Sequence, residues 1–264
     1  MLKKRLTGAV TIRNGLVVQS FGYNRYLPIG KPKVVVENLD RWGCDEIFIQ
    51  VIDRSIKNLG PDIELVKEIS TSGILTPIMY AGGIKNENQA VEVIRAGAER
   101  ICLDGLLHEN PNEIKKIARR LGGQAVVGCL PLGMDDSGTA YWYNYQIKKK
   151  CLLNDTILSL IKDRLISEIL LIDWKNEGHD EAFDFKILEV FEKHNVPLIL
   201  FGGLSSAKFL KKAFDNSRVV SAVIGNKLNY KEHGIQMLKN QLSSSNIRTA
   251  QYHDRSIYNY YEKN

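Results

Sequence analysis

Two pairs of adjacent glycines are the first residues of this sequence that could take part in chemistry. Gly82-Gly83 and Gly202-Gly203 each follow a short apolar run and precede a helical pattern. Glycine lets the backbone approach a ligand closely, and the helix that follows offers free N–H groups to a phosphate. Ile224-Gly225-Asn226 ends a third apolar run. The predicted phosphate-binding residues are Gly82, Gly83, Gly202, Gly203, Gly225 and Asn226.

Polar side chains at the ends of other apolar runs are the candidates for catalysis. Asp173 ends one such run, and Lys175 and His179 follow it closely. Carboxylate, amine and imidazole groups are the usual carriers of protons in enzymes. Asp173 and Lys175 could equally form a structural ion pair, because they stand two positions apart at a strand border. Asp104 also ends an apolar run, and its carboxylate would repel a phosphate there.

The composition excludes several classes of protein. The chain has 264 residues, is 44% hydrophobic and 25% charged, and carries a formal net charge of +6. This charge suits an anionic ligand or an acidic partner, although a lysine-rich solvated surface is the better explanation. Basic residues with interleaved aromatics form no stripe, so we expect no nucleic-acid binding. No apolar run approaches the roughly 18 residues that span a bilayer, and the basic start lacks the apolar core of a signal peptide.

Cysteine usage indicates a reducing compartment. Cys44, Cys102, Cys129 and Cys151 are scattered without any C-x-x-C pair, and two of them lie inside apolar runs. Such residues behave as small hydrophobes rather than as metal ligands or disulfides. We therefore expect a cytoplasmic protein with no metal and no cofactor.

Short strand-like runs alternate with helical patterns along the whole chain, as they do in βαβ units. The strand candidates are 6–12, 46–52, 77–81, 100–103, 125–130, 168–173, 197–201 and 222–224. The helical candidates are 32–43, 61–72, 86–96, 111–121, 153–165, 182–194, 205–215 and 231–242. Eight of each predict a single (β/α)₈ TIM barrel over residues 1–242, followed by a polar, tyrosine-rich tail over 243–264.

The two halves of the chain repeat one another. The segment 77–84, PIMYAGGI, returns 120 positions later as 197–204, PLILFGGL, and 45–47 is echoed by 167–169. Strands two and three therefore match strands six and seven. This repeat predicts two half-barrels related by an approximate twofold axis.

At this level of detail the sequence resembles the cyclase subunit of imidazole glycerol phosphate synthase over roughly residues 1–242. The matching segments include MLKKR at 1–5, NGLVV at 14–18, GGI at 82–84, RAGA at 95–98, GQAVV at 123–127 and EILL at 168–171. The sister isomerase of histidine synthesis shares the internal repeat. The opening segment and the pair Glu46 and Glu168 favour the cyclase.

The resemblance implies a partner and a route for ammonia. In that family a glutaminase docks at the amino-terminal face of the barrel, and ammonia passes through the interior to a substrate at the other face. Four charged residues ring the entrance. This sequence has charges of the same sign at those places, namely Arg5, Glu46, Arg100 and Glu168. The alternative is that these are ordinary solvated charges before strands.

The catalytic face departs from the family pattern. The family's acid–base pair is an aspartate in the first strand and another at the end of the fifth, and here those places hold Thr11 and Pro131. Neither side chain transfers protons near neutral pH. Such groups contribute about 10²–10⁴-fold in rate, so their loss should nearly abolish cyclisation.

Three functions fit these observations. The first is a subunit that receives ammonia from a glutaminase and conducts it for the amidination of a sugar, as in the divergent relatives that serve bacterial surface-sugar pathways. It implies a phosphorylated or nucleotide-sugar molecule at the carboxyl-terminal face. The second is the imidazole glycerol phosphate synthase cyclase, a lyase of histidine biosynthesis. The third is a non-catalytic barrel that binds or regulates its glutaminase partner.

Overall fold

A computed structural model of the chain describes residues 3–135, 137–153, 155–229, 233–242 and 246–251. The strands are β1 Arg5–Arg13, β2 Leu16–Phe21, β3 Arg25–Gly30, β4 Glu46–Val51, β5 Ile78–Ala81, β6 Arg100–Leu103, β7 Val126–Met134, β8 Ala140–Asn144, β9 Lys149–Leu152, β10 Glu168–Asp173, β11 Leu198–Phe201 and β12 Val219–Ile224. The helices are α1 Pro32–Arg41, α2 Ile63–Ser70, α3 Glu87–Arg95, α4 Gly105–Glu109, α5 Pro111–Leu121, α6 Asp155–Lys162, α7 Ala207–Asp215 and α8 Gly234–Gln241.

Eight of these strands close into a parallel barrel. Their order around the barrel is β1, β4, β5, β6, β7, β10, β11 and β12, and β12 pairs with β1 to complete the ring. Helices lie between successive strands, so the predicted (β/α)₈ TIM barrel is confirmed. None of the helices in the described ranges is both long and apolar enough to cross a membrane.

The helices begin where their sequences supply caps. Asp62, Asn86, Asn110 and Ser206 each accept a hydrogen bond from a backbone N–H in the first turn of α2, α3, α5 and α7. The stretch predicted as a helix over 182–194 instead forms a short 3₁₀ helix, Phe185–Phe191, after an Asp184 cap. Further 3₁₀ turns occupy Gly123–Ala125 and Asn226–Leu228.

Two β-hairpins were not expected from the sequence. β2 and β3 form one above the end of β1, and β8 and β9 extend β7 as an antiparallel ribbon. Trp142 on the outer side of the second hairpin stacks on His108 of α4, with ring centroids 3.4 Å apart. Both hairpins therefore belong to the carboxyl-terminal rim of the barrel.

The amino-terminal face carries the described part of the tail. Ile247 bridges to Lys4, and the Arg248 N–H donates to the Lys4 carbonyl at 3.3 Å. Residues 243–245 and 252–264 lie outside the described ranges, so the domain boundary at 242 stays a prediction.

A buried ion pair fixes this face. Lys239 of α8 donates to Asp45 Oδ1 at 2.9 Å and to the Gly43 carbonyl at 2.8 Å, and both charged side chains are almost fully buried. Asp45 Oδ2 accepts the Leu6 N–H of β1 at 2.8 Å. The pair thus joins α8 to the first two barrel strands.

We expect Lys239→Met to lower the free energy of unfolding by about 3–5 kcal/mol, because it leaves the Asp45 carboxylate buried without its closest cation. Urea denaturation measures the change. The control is Lys67→Met, which removes an exposed pair with Glu64 and should cost less than about 1 kcal/mol. Equal losses in the two variants would contradict a structural role for the Lys239 pair.

Candidate functional site

The four charges predicted at the entrance meet in one closed ring at the amino-terminal end of the barrel. Each stands at or near the start of its strand, with its side chain turned towards the barrel axis. Arg5 and Arg100 both donate to Glu168 Oε2 at 2.6 Å. Arg100 also donates through Nε and Nη2 to the two oxygens of Glu46, each at 2.8 Å. The ring closes more loosely between Arg5 and Glu46, where Nε and Oε2 are 4.0 Å apart.

The ring is largely shielded from water. Its side chains are exposed by 20% or less. Burial alone would raise the pKa of Glu168, but hydrogen bonds and charge from Arg5 and Arg100 outweigh it and lower that pKa. Burial would also lower the pKa of Arg100, and the two glutamates raise it instead. Glu168 and Arg100 are therefore held in their charged forms by their partners in the ring.

The interior above the ring changes from polar to apolar. Thr7 and Ser221 form the next layer, with their hydroxyl oxygens 2.8 Å apart. Beyond them the inward side chains form one buried cluster. Its members are Ala9, Phe48, Met79, Cys102, Val127, Cys129, Leu170, Ile172, Ile199, Phe201 and Val223.

The positions of the family acid–base pair lie at the upper end of this interior. Thr11 is buried, and its Oγ1 accepts from Gln50 Nε2 at 2.7 Å. Tyr23 in turn donates its hydroxyl to Gln50 Oε1 at 3.0 Å. Pro131 lies in β7 beside Ile172 of β10. The two places hold one hydroxyl that is already bonded and one ring without a proton to transfer.

Aromatic side chains cover this mouth. Tyr143 of β8 stacks on Trp174 with centroids 4.2 Å apart, and Tyr145 lies 5.3 Å from both Tyr143 and Tyr23. Tyr141 stands opposite Gly133, where any Cβ would lie 2.6 Å from its hydroxyl. We refer to Tyr23, Tyr141, Tyr143, Tyr145 and Trp174 as the aromatic cap.

A buried glutamate ties the two sides of the cap together. Glu177, which follows β10, accepts through Oε2 from the Ser20 hydroxyl at 2.9 Å and from the Tyr23 N–H at 3.2 Å. Its carbonyl accepts from the Gly22 N–H. Burial raises the pKa of Glu177 in spite of these bonds. The β2–β3 hairpin is therefore anchored to the loop after β10.

The three candidates for catalysis do not converge. Asp173 is buried and bonds to the Asn176 side chain and the Asp184 N–H, each at 2.8 Å, so it shapes its own loop. Burial raises its pKa. Lys175 donates to the Met134 carbonyl at 3.1 Å and lies over the Tyr141 ring. His179 is exposed beside the predicted phosphate turn.

The glycines that were predicted to bind phosphate lie at two separate places. Gly202, Gly203, Gly225 and Asn226 surround one small cavity of about 30 Å³ after β11 and β12, together with His179 and Lys227. A Cβ on Gly203, whose φ is 72°, would lie 2.6 Å from the Phe183 nitrogen. Lys227, which the sequence reasoning missed, adds a cation to the cavity. A larger cavity of about 330 Å³ adjoins it around Lys227, Ser205 and Ser206.

Two of the groups that were predicted to bind phosphate already form other hydrogen bonds. The Gly83 N–H, after β5, donates to Ser55 Oγ at 3.1 Å. The Asn226 side chain exchanges two hydrogen bonds with the backbone of Ser20, at 2.7 and 3.2 Å. The Asn226 side chain therefore anchors the β2–β3 hairpin.

Several residues of this face escaped the sequence analysis, namely Tyr23, Gln50, Tyr143, Tyr145, Trp174, Glu177 and Lys227. The alternation of inward and outward residues along β4 could have identified Gln50. It stands two positions after Phe48 and four after Glu46, on the inward side of the strand. The tyrosines at 141, 143 and 145 share the same alternation. The hairpin that turns them over the mouth is a tertiary feature.

Comparison with known proteins agrees with this geometry. A family model described as histidine biosynthesis protein matches residues 5–234. The imidazole glycerol phosphate synthase subunit HisF of Natranaerobius thermophilus is 25% identical, with 94% of this chain and 98% of that protein covered. The proteins of the same name from Clostridium botulinum strain Okra and Dictyoglomus thermophilum are 28% and 29% identical, over 92% and 81% of this chain and 96% and 85% of theirs. With the closed barrel and the match over most of its length, the chain belongs to the family of histidine biosynthesis proteins.

Proposed function

We propose that this chain is a synthase subunit that receives ammonia from a partner glutaminase and conducts it through the barrel to an acceptor at the carboxyl-terminal mouth. The closed ring of Arg5, Glu46, Arg100 and Glu168 carries this proposal. The relatives are named as synthase subunits, which supports a partner protein.

The charge balance of the ring suits an entrance beneath a partner. Two cations and two anions in mutual contact are nearly neutral as a set, which lowers the cost of covering them, whereas an unpaired buried charge is expensive. The contact between Arg5 and Glu46 is the longest in the ring, so opening the ring there costs the least interaction energy.

The apolar interior above the ring suits neutral ammonia. Burying a neutral polar molecule costs a few kcal/mol, whereas burying an ion such as ammonium costs far more. The interior cluster lies between the ring and the mouth. Ammonia that enters at the ring is thereby kept from protonation by bulk water until it reaches the aromatic cap.

For the acceptor, two specific observations favour different molecules. The names of the relatives favour the aminated ribonucleotide that becomes imidazole glycerol phosphate, and on this point they support cyclisation better than sugar amidination. Thr11 and Pro131, in place of the acid–base pair, favour another acceptor. On these residues we propose a phosphorylated or nucleotide sugar that is amidinated.

A non-catalytic barrel is the remaining candidate. It would bind or regulate the glutaminase without passing nitrogen on. The intact ring, which a purely regulatory surface does not require, argues for conduction.

The ring can be tested by nitrogen transfer. With the glutaminase bound and ¹⁵N-amide glutamine as donor, we expect Glu168→Ala to reduce transfer to the acceptor by about tenfold or more. The change removes the carboxylate that both arginines share, so Arg5 loses its close partner and Arg100 keeps only Glu46. Mass spectrometry of the product measures the transfer. Glu68→Ala, which removes an exposed carboxylate of α2, is the control. Unchanged transfer in Glu168→Ala, with the complex intact, would mean that the ring is a set of surface charges.

The mouth can be tested by the cyclisation itself. With ammonium as donor, we expect imidazole glycerol phosphate formation at least about 10²-fold below the ordinary range of about 1–10³ s⁻¹, because Thr11 and Pro131 cannot transfer protons. Turnover within that range would establish the histidine reaction and exclude our choice of acceptor. Such turnover would leave the ammonia route unaffected.

The phosphate site can be tested by binding. We expect inorganic phosphate to bind at the Gly202–Gly203 turn with help from Lys227, and Lys227→Met to weaken it about threefold to tenfold, by loss of a charge-assisted contact. Isothermal calorimetry measures the affinity. Lys85→Met, beside the Gly82–Gly83 turn, is the matched control. Stronger loss in the control would place the phosphate at the other turn.

A further inference from the structure

Asp104 is a carboxylate at the end of the barrel interior that the proposed function has not used. It follows β6, in register with Arg100 of the ring and Cys102 of the interior cluster, so it continues the inward series at the mouth. Its Oδ1 atom is buried and has no hydrogen-bond partner among the described residues. Such an arrangement is costly unless a ligand supplies the missing donor.

Asp104 forms no ion pair with a cation of the described ranges. The groups that interact with it electrostatically are Glu109 of α4, Cys129 of the interior cluster and Tyr145 of the aromatic cap. Burial and the charge of Glu109 raise the pKa of Asp104 to about 7. Burial and then the charges of Tyr23 and Asp104 raise the pKa of Tyr145, whose hydroxyl is likewise buried without a partner among the described residues.

The missing partner is therefore a small group with hydrogen-bond donors and no negative charge. An anion would be repelled by Asp104, and a hard metal cation requires more oxygen ligands than one carboxylate and one phenol provide. Ammonium has four N–H donors, enough to reach a carboxylate and a phenol oxygen at once. The interior cluster leads from the ring to this point.

We propose that Asp104 and the Tyr145 hydroxyl form a binding site for ammonia at the upper end of the barrel, where the nitrogen is held as ammonium until the acceptor is in place. This inference rests on the proposed function, since the ammonia comes from the ring. The site lies outside the Gly202–Gly203 turn, so it leaves the phosphate position free.

The proton transfers balance within the site. Ammonia arriving through the interior takes the proton of the Asp104 carboxylic acid, which gives ammonium paired with carboxylate. When the acceptor binds, ammonium returns that proton to Asp104, and neutral ammonia leaves the site towards the acceptor. Asp104 is unchanged over the cycle, and no other reactant is consumed in holding the nitrogen.

The experiment uses the purified full chain without a glutaminase, so its result is independent of nitrogen transfer. Aspartate labelled with ¹³C at the side-chain carboxyl is followed by NMR through a pH titration in ammonium chloride and in potassium chloride of equal concentration. Potassium has the charge and nearly the size of ammonium but no N–H donor. The signal of Asp104 is assigned by its absence in Asp104→Asn.

We expect the Asp104 midpoint near pH 7 in potassium chloride and a lower midpoint in ammonium chloride, because ammonium binds the carboxylate form. At about 100 mM salt and a dissociation constant of about 30 mM, the shift is about 0.6 pH unit. Tyr145→Phe, which keeps the ring, should reduce this shift. Asp53, a rim aspartate paired with Lys57, serves as the internal reference and should titrate alike in both salts.

Glu109→Gln separates the site from its electrostatic surroundings. It should lower the Asp104 midpoint in both salts and keep the difference between them. Equal Asp104 midpoints in ammonium and potassium would overturn the proposal. If Asp104→Asn does not fold, the signal that moves in Glu109→Gln provides the assignment. Loss of glutamine-dependent transfer with a normal ammonium shift would contradict the conduit and keep the site.

Discussion

Closure of eight parallel strands into a barrel is the constraint on which the rest of this molecule depends. Each strand commits every second residue to a space shared with seven others, and that space has no access to water except at its ends. Position along a strand therefore decides what chemistry a residue can do. Along β1 the inward side chain is charged at Arg5, carries a hydroxyl at Thr7, is apolar at Ala9 and carries a hydroxyl again at Thr11.

The two ends of the interior solve the problem of buried charge in opposite ways. At the amino-terminal end, two arginines and two glutamates neutralise one another within hydrogen-bonding distance. At the carboxyl-terminal end, Asp104 has no cation within the part of the chain that the structure describes, and burial pushes its pKa towards neutrality. A set of paired charges can remain unchanged over a wide pH range. A single buried carboxyl near its pKa is suited to exchanging a proton.

The sequence was sufficient for the barrel and insufficient for its mouth. All eight barrel strands were predicted from apolar runs, because a strand that is buried on both faces has an apolar composition that few other elements share. The ring residues were predicted through the resemblance to the cyclase family, which has charges of the same sign at these four places. The hairpins were missed because β2, β3, β8 and β9 are half-exposed and carry mixed composition. The side chains of the aromatic cap come together only through those hairpins, which no local pattern could reveal.

The hairpins also explain how one barrel can keep its entrance while its mouth changes. The ring residues stand at the starts of barrel strands. Closure of the barrel fixes the positions of these strands, so a change in the ring disturbs the neighbouring strands. On one side of the aromatic cap, Tyr143 and Tyr145 belong to the β8–β9 hairpin, which the His108–Trp142 stack holds in place. On the other side, Glu177 holds Tyr23. These attachments lie outside the barrel hydrogen bonds. New side chains can thus be placed over the interior without a change in the barrel hydrogen bonds beneath them.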